Sequence, residues 1–249
     1  MVPRRLASIL VLAGLCAALA GCGSATTKNS LAPDESPADL YVSLSAEYLR
    51  RGQLDAALQR AQRAVAEDKK SAGAHYMLAI VQQRLGQDKL AETHFSEAVR
   101  LQPDNPDYRN AWGYVLCTQG RYEAAIAEIE QALADPLYQT PAVALMNAAD
   151  CAERHKRSSE AERYLREALT RAPNYAPALL AMAERSYQRG DYPQARGYLA
   201  RYSRTGPTTP GALLLAARIE RKLGNPNEAK ALEASLRQQF PDAPEIMQL

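Results

Sequence analysis

The residues best suited to chemistry in this chain are three histidines and four cysteines. His75, His94 and His155 are scattered, and neither His-Glu-x-x-His nor Cys-x-x-Cys occurs, so no metal-ligand spacing brings them together. There is no Gly-x-Ser-x-Gly elbow and no glycine-rich loop of the kind that cradles phosphate. Each histidine reads as structural: His75 in a packing seam, His94 beside Phe95 on a helix, His155 in the turn His155-Lys156-Arg157. Glu128 and Glu130 are expected on a solvated helix face. These residues imply no catalytic group, no metal, no cofactor and no small-molecule substrate.

The cysteines divide into two pairs. Arg4 and Arg5 precede an apolar run from Leu6 to Ala20, too short for a comfortable membrane span of about 20 residues. Residues 1–21 therefore read as a secretory signal that takes Cys16 with it. The end of the run, Leu19-Ala20-Gly21-Cys22, resembles the bacterial lipobox. Cleavage there would leave Cys22 with a diacylglycerol on its thiol and an acylated amine. Several acyl chains anchor stably where one binds only reversibly. Gly23 follows where an Asp would resemble an inner-membrane retention signal, which favours the outer membrane. Residues 22–37 are rich in Ser, Thr, Pro and Gly and read as a tether reaching on the order of 20 Å. Without Arg4 and Arg5 the chain holds 28 Lys+Arg against 28 Asp+Glu. That neutrality gives no electrostatic argument for nucleic acid.

The elements that position the remaining residues follow from a repeat. Gly52, Gly86 and Gly120 stand 34 apart, as do Gly190 and Gly224, and Lys156 occupies the place of the missing glycine. A 34-residue period is the length of the tetratricopeptide (TPR) helix-turn-helix unit. With the glycine at position 15, small residues should fill positions 8, 20 and 27, where helix A and helix B cross. Sixteen of those eighteen positions hold Ala, Gly or Ser, from Ser45, Ala57 and Ala64 in the first repeat to Ala217 and Ala229 in the sixth. The exceptions, Tyr202 and Leu236, predict looser packing toward the C-terminal end. Tyr41, Leu44, Leu78, Trp112, Leu145, Met182 and Leu213, at positions 4 and 7, should fill the space between helices.

The chain therefore reads as an all-α, right-handed superhelical solenoid of six repeats: 38–71, 72–105, 106–141, 142–175, 176–209 and 210–243, with 244–249 a tail. Pro103, Pro173, Pro207 and Pro241 should end helix B in their repeats. Lys69 replaces that proline in the first repeat, so its second helix is free to run on. Gly197 falls inside a helix. The third repeat has two extra residues near Asp135-Pro136-Leu137-Tyr138, which should lengthen a connection.

Stacked repeats present a concave face made mainly by the A helices, suited to peptides and extended segments. The inward positions there include Leu49, Tyr76, Ile80, Asn110, Tyr114, Asn147 and Asp150, apolar and aromatic early, more acidic later. Val42 and Ala46 stand where chaperone-type TPR modules carry Lys and Asn, so capture of a C-terminal carboxylate is not expected. Cys117 and Cys151 lie at similar heights on the A helices of repeats three and four. Helices packed at about 8–10 Å can bring Cα atoms within the ~7 Å that a disulfide needs. A staple between repeats three and four is one reading; two buried thiols is the other.

The segment Asn110-Ala111-Trp112-Gly113-Tyr114-Val115-Leu116-Cys117, with Pro136-Leu137-Tyr138 and Asn147-Ala148-Ala149-Asp150-Cys151, resembles the type IV pilus biogenesis and stability lipoproteins, the PilF/PilW pilotins. The resemblance covers lipobox, tether and six repeats. It implies a lipid-anchored protein on the periplasmic face of the outer membrane that helps the pilus secretin reach that membrane and form its ring, and that supports pilus stability. It implies that Cys22 carries the lipid and that Cys117 and Cys151 match the family's paired cysteines. Lipoprotein adaptors for peptidoglycan enzymes or the outer-membrane assembly machinery also carry a lipobox and TPRs, and an adaptor of that kind is the alternative reading of this chain.

Overall fold

The computed structural model describes residues 36–249. The signal segment, Cys22 and the tether through residue 35 lie outside the described residues. Twelve α-helices follow in antiparallel pairs: α1 (Pro37–Arg50), α2 (Leu54–Glu67), α3 (Ala72–Arg84), α4 (Asp88–Leu101), α5 (Pro106–Thr118), α6 (Tyr122–Leu133), α7 (Pro141–Arg154), α8 (Ser158–Arg171), α9 (Ala176–Gln188), α10 (Tyr192–Tyr202), α11 (Pro210–Lys222) and α12 (Pro226–Gln239). The segment read as a tail winds into a 3-10 turn, Pro244–Gln248. The described residues contain no strand. Odd-numbered helices are the A helices and even-numbered ones the B helices of a superhelical array.

Local chemistry sets the helix ends. The Ser36 hydroxyl accepts from the Asp39 N–H at 3.2 Å, and Pro37 takes the first helical position, so α1 begins inside the segment read as tether. Ser71, Asn105 and Thr209 cap α3, α5 and α11 in the same way. The expected extension of α2 past Lys69 does not occur. Asp68 turns extended, its carboxylate accepts from the Lys70 N–H at 2.8 Å, and Ser71 then starts α3. An Asx turn does there what proline does elsewhere.

The A-to-B turn needs a left-handed residue. Gly52, Gly86, Gly120, Gly190 and Gly224 adopt φ between 70° and 81°, and Lys156 adopts the same conformation with φ 59°. Its N–H still bonds the Glu153 carbonyl at 2.9 Å, and that of Arg157 bonds Ala152 at 2.8 Å. The turn thus survives the loss of glycine.

All eighteen crossing residues at positions 8, 20 and 27 are buried. Gly113 shows why they are small: a Cβ there would sit 2.6 Å from Ile129 and 2.8 Å from the Ala125 carbonyl oxygen. Contrary to the expectation of looseness at the two large exceptions, Leu236 is fully buried and Tyr202 is 5% exposed. Tyr202 fits because its ring lies over Gly206, where any side chain would collide, and its hydroxyl donates to the Pro207 carbonyl at 2.7 Å. Openness appears instead as a recess of about 540 Å³ between α10, α11 and α12.

Of the bulky residues at positions 4 and 7, Leu78, Leu145 and Met182 are core. Leu44 is 37% exposed, since no preceding repeat covers it among the described residues. Trp112 packs against apolar clusters on both sides and so joins repeats two and three.

Candidate protein-binding groove

The groove is organised around neighbouring A helices. Cys117 of α5 and Cys151 of α7 form a disulfide with Cα atoms 5.7 Å apart, and both are buried. On the same two helices the Asn147 amide donates to the Asn110 side-chain oxygen at 3.0 Å. Repeats three and four are therefore tied twice along one seam.

Next to that seam lies an aromatic cluster. Tyr76 of α3 sits 4.6 Å from Tyr108 of α5, ring centre to ring centre, and meets Phe95 edge-on at 5.9 Å. Burial, reinforced by Asp107, pushes the Tyr76 hydroxyl up to about 12, so it stays a neutral donor. Ile80 lies one turn further along α3 and packs with Tyr76 on the same apolar cluster. Tyr114, one turn after the buried Asn110, is 36% exposed. Leu49 is half-buried in the last turn of α1, which packs on α3. Asp150 is apart from this cluster.

Tyr138 was not anticipated. The two-residue insertion read as a longer connector folds Tyr138 back to 8% exposure and leaves Leu137 at 77%. Burial raises the Tyr138 hydroxyl, which lies near Asp107, Asn110 and Thr140 yet makes no well-formed hydrogen bond. A connector residue in this chain is thus part of the core shared by repeats three and four. Its signal was present in the tyrosine itself, since an aromatic side chain in a short insertion has reason to find a core.

The repeat architecture matches known families. Models described as tetratricopeptide repeat match residues 48–111 and 154–219, residues 110–176, and residues 211–243. The chain belongs to the tetratricopeptide-repeat family. It is homologous to the type IV pilus assembly protein PilF of Pseudomonas aeruginosa, 28% identical over 237 residues and 94% of each chain. A solved structure of PilW, a widely conserved type IV pilus biogenesis factor, superposes with TM-score 0.77 and 29% identity, covering 86% of this chain and 99% of that one. The solved Pseudomonas aeruginosa PilF superposes with TM-score 0.76 and 27% identity, over 85% and 95% of the two chains.

Within the TPR groove a second feature lies between α7 and α9. Met146, Ala149, Leu165 and Ala181 floor a recess of about 150 Å³, rimmed by Asp150, Glu153, Glu184 and Arg185. Arg185 pairs with Glu153, while the recess walls desolvate Glu184 and hold its carboxyl above the usual range. The later groove is thus acidic over an apolar floor, and the earlier groove is aromatic. Such a surface can bind a polypeptide by apolar burial, with aromatic side chains as anchors.

Two readings of single residues need correction. Glu128 is not on a solvated face: it holds Arg109 at 2.5 Å, with side chains only 22% and 17% exposed. Nor is His155 isolated from ligand-type partners. As the C-cap of α7 it follows Cys151 by four residues, and one of its ring nitrogens lies with the Cys117 and Cys151 sulfurs inside a 4.8 Å group. His75 and His94 also meet, Nδ1 to Nδ1, at 2.9 Å.

Proposed function

We propose that this TPR chain serves type IV pilus biogenesis by binding protein, without catalysing a reaction. In this reading it is a pilotin, lipid-anchored through Cys22 on the periplasmic face of the outer membrane. It binds the pilus secretin, promotes its placement in that membrane and its assembly into rings, and supports pilus stability. The observation that carries the reading is the end-to-end correspondence with PilF, at 28% sequence identity over 94% of each chain. The groove supplies the means: the aromatic pair Tyr76 and Tyr108, the Asn110–Asn147 pair, and the exposed Tyr114.

The test replaces Cys22 by Ala, or deletes the gene, and probes the secretin in fractionated membranes. Loss of heat-resistant secretin rings from the outer membrane together with twitching motility is the expected result. Normal rings with few surface pili would confine the role to pilus stability. Normal rings and normal pili would overturn the pilus reading and leave an adaptor for peptidoglycan enzymes or the outer-membrane assembly machinery.

A further inference from the structure

We propose that Cys117, Cys151 and His155 form a binding site for one thiophilic d10 cation, Zn²⁺ or Cu⁺, when the disulfide is open. The inference is independent of the pilus reading.

The geometry begins with α7. Cys151 and His155 are four residues apart, so their side chains point to the same side of the helix, one turn apart. Cys117 faces them from α5, and one donor atom from each residue falls within 4.8 Å of the other two. Tetrahedral Zn²⁺ at about 2.3 Å from sulfur places its donors about 3.8 Å apart. In the oxidised chain the two sulfurs are bonded and so closer than that, while a His155 ring nitrogen already lies within 4.8 Å of both; opening the disulfide frees the sulfurs to move apart to the coordination spacing. Two thiolates with one imidazole are a soft donor set, which selects Zn²⁺ or Cu⁺ over the hard cations. Both cysteines are buried, and the Tyr122 ring, itself buried, stands 5.1 Å from the His155 ring as one wall of the site. Tyr122 is fixed in turn: it donates to Glu160 at 2.7 Å, and the Arg157 guanidinium lies 4.2 Å over its ring. Arg157 is itself neutralised by Glu123 and Glu160, so the wall brings little uncompensated positive charge. Three protein ligands leave a fourth position for water or an added ligand.

The disulfide and the metal exclude each other. A dithiol, such as that of a thiol–disulfide oxidoreductase, gives two electrons and two protons to the Cys117–Cys151 bond and becomes a disulfide itself. The two thiols then release their protons to solvent as the cation binds, and neutral His155 contributes a nitrogen lone pair. The same two helices are thereby linked in either state, once by a covalent bond and once by coordination.

The test uses the full chain in detergent, reduced with dithiothreitol that is then removed without oxygen, and titrated with Co²⁺ as a spectroscopic stand-in for Zn²⁺. The chain carrying Cys117→Ser and Cys151→Ser is the blank for the other cysteines. The expected result is thiolate-to-cobalt charge transfer saturating at one ion per reduced chain, displacement by Zn²⁺, and no band in the oxidised chain. His155→Ala, checked for helix content by circular dichroism, should weaken binding at least tenfold. A reduced chain with no charge transfer beyond the blank would overturn the proposal, as would equal affinity in His155→Ala. Loss of helix content on reduction that Zn²⁺ does not reverse would overturn it too, since the site requires α5 and α7 in place.

Discussion

Cys117 and Cys151 join α5 to α7 across a sequence separation of 34 residues, one helix of one repeat to its counterpart in the next. A link of that span removes conformational freedom from the unfolded chain, on the order of 3–4 kcal/mol in the loop-entropy account. Replacing both cysteines by serine should lower the free energy of unfolding by about 3 kcal/mol. Urea denaturation under oxidising conditions measures this, and the loss should vanish when both proteins are compared reduced.

Gly113 and Gly197 are both helical glycines with opposite consequences. At Gly197 an added Cβ meets nothing within 4 Å, so Gly197→Ala should stabilise α10 by about 0.5–1 kcal/mol through helix propensity. At Gly113 the new methyl would press on a backbone carbonyl that cannot swing aside, and Gly113→Ala should destabilise by about 1–3 kcal/mol. Thermal melts of the two single variants should move in opposite directions. A shift of the same sign in both would contradict the account of the A–B crossing.

Lys156 holds a left-handed conformation that five glycines hold elsewhere in the array. A non-glycine residue there is strained by about 1–2 kcal/mol, of which glycine's greater freedom in the unfolded chain takes back a part. Lys156→Gly should therefore raise stability by about 1 kcal/mol and leave the helix content unchanged. The reverse change, Gly86→Ala, should lower it.

The His75–His94 contact gives the fold an acid sensitivity. With Nδ1 atoms 2.9 Å apart, one ring must offer a lone pair, and the other nitrogen of His75 lies 3.1 Å from the Lys69 carbonyl. Burial first, and the neighbouring His75 second, hold the His94 pKa below its usual value, with Glu97 opposing. A base whose folded pKa is depressed contributes stability that is complete above its unfolded value of about 6.5 and lost as pH falls below it. The melting temperature should drop between pH 7 and pH 5, and His94→Gln should flatten that slope. Equal slopes in the two proteins would remove His94 from the account.

The repeat was legible because close helix crossings constrain residue type directly. The glycine spacing and the small residues at three positions locate every A–B crossing, down to Ala229 in the sixth repeat. Helix ends were less legible where proline has a substitute, as the Asx turn at Asp68 shows. The groove was read in part: Tyr76 meets Ile80 and Asn110 meets Asn147, but the helix-position template is silent about connectors and so gave Tyr138 no place in the core. The Arg109–Glu128 pair and the approach of His155 to the cysteines depend on how adjacent helices meet, which no single-helix pattern encodes.

The cross-link also changes what a pull on the molecule would do. Stretched from its ends, an array of this kind yields repeat by repeat, each giving up its folded length as extended chain. The residues enclosed between Cys117 and Cys151, the whole of α6 among them, cannot join that extension while the bond is intact. At about 3.3–3.6 Å per residue, the 34-residue span withholds on the order of 110 Å of slack. The middle of the array would thus act as a stop under load, and a reductant would lengthen the molecule's reach by about that amount.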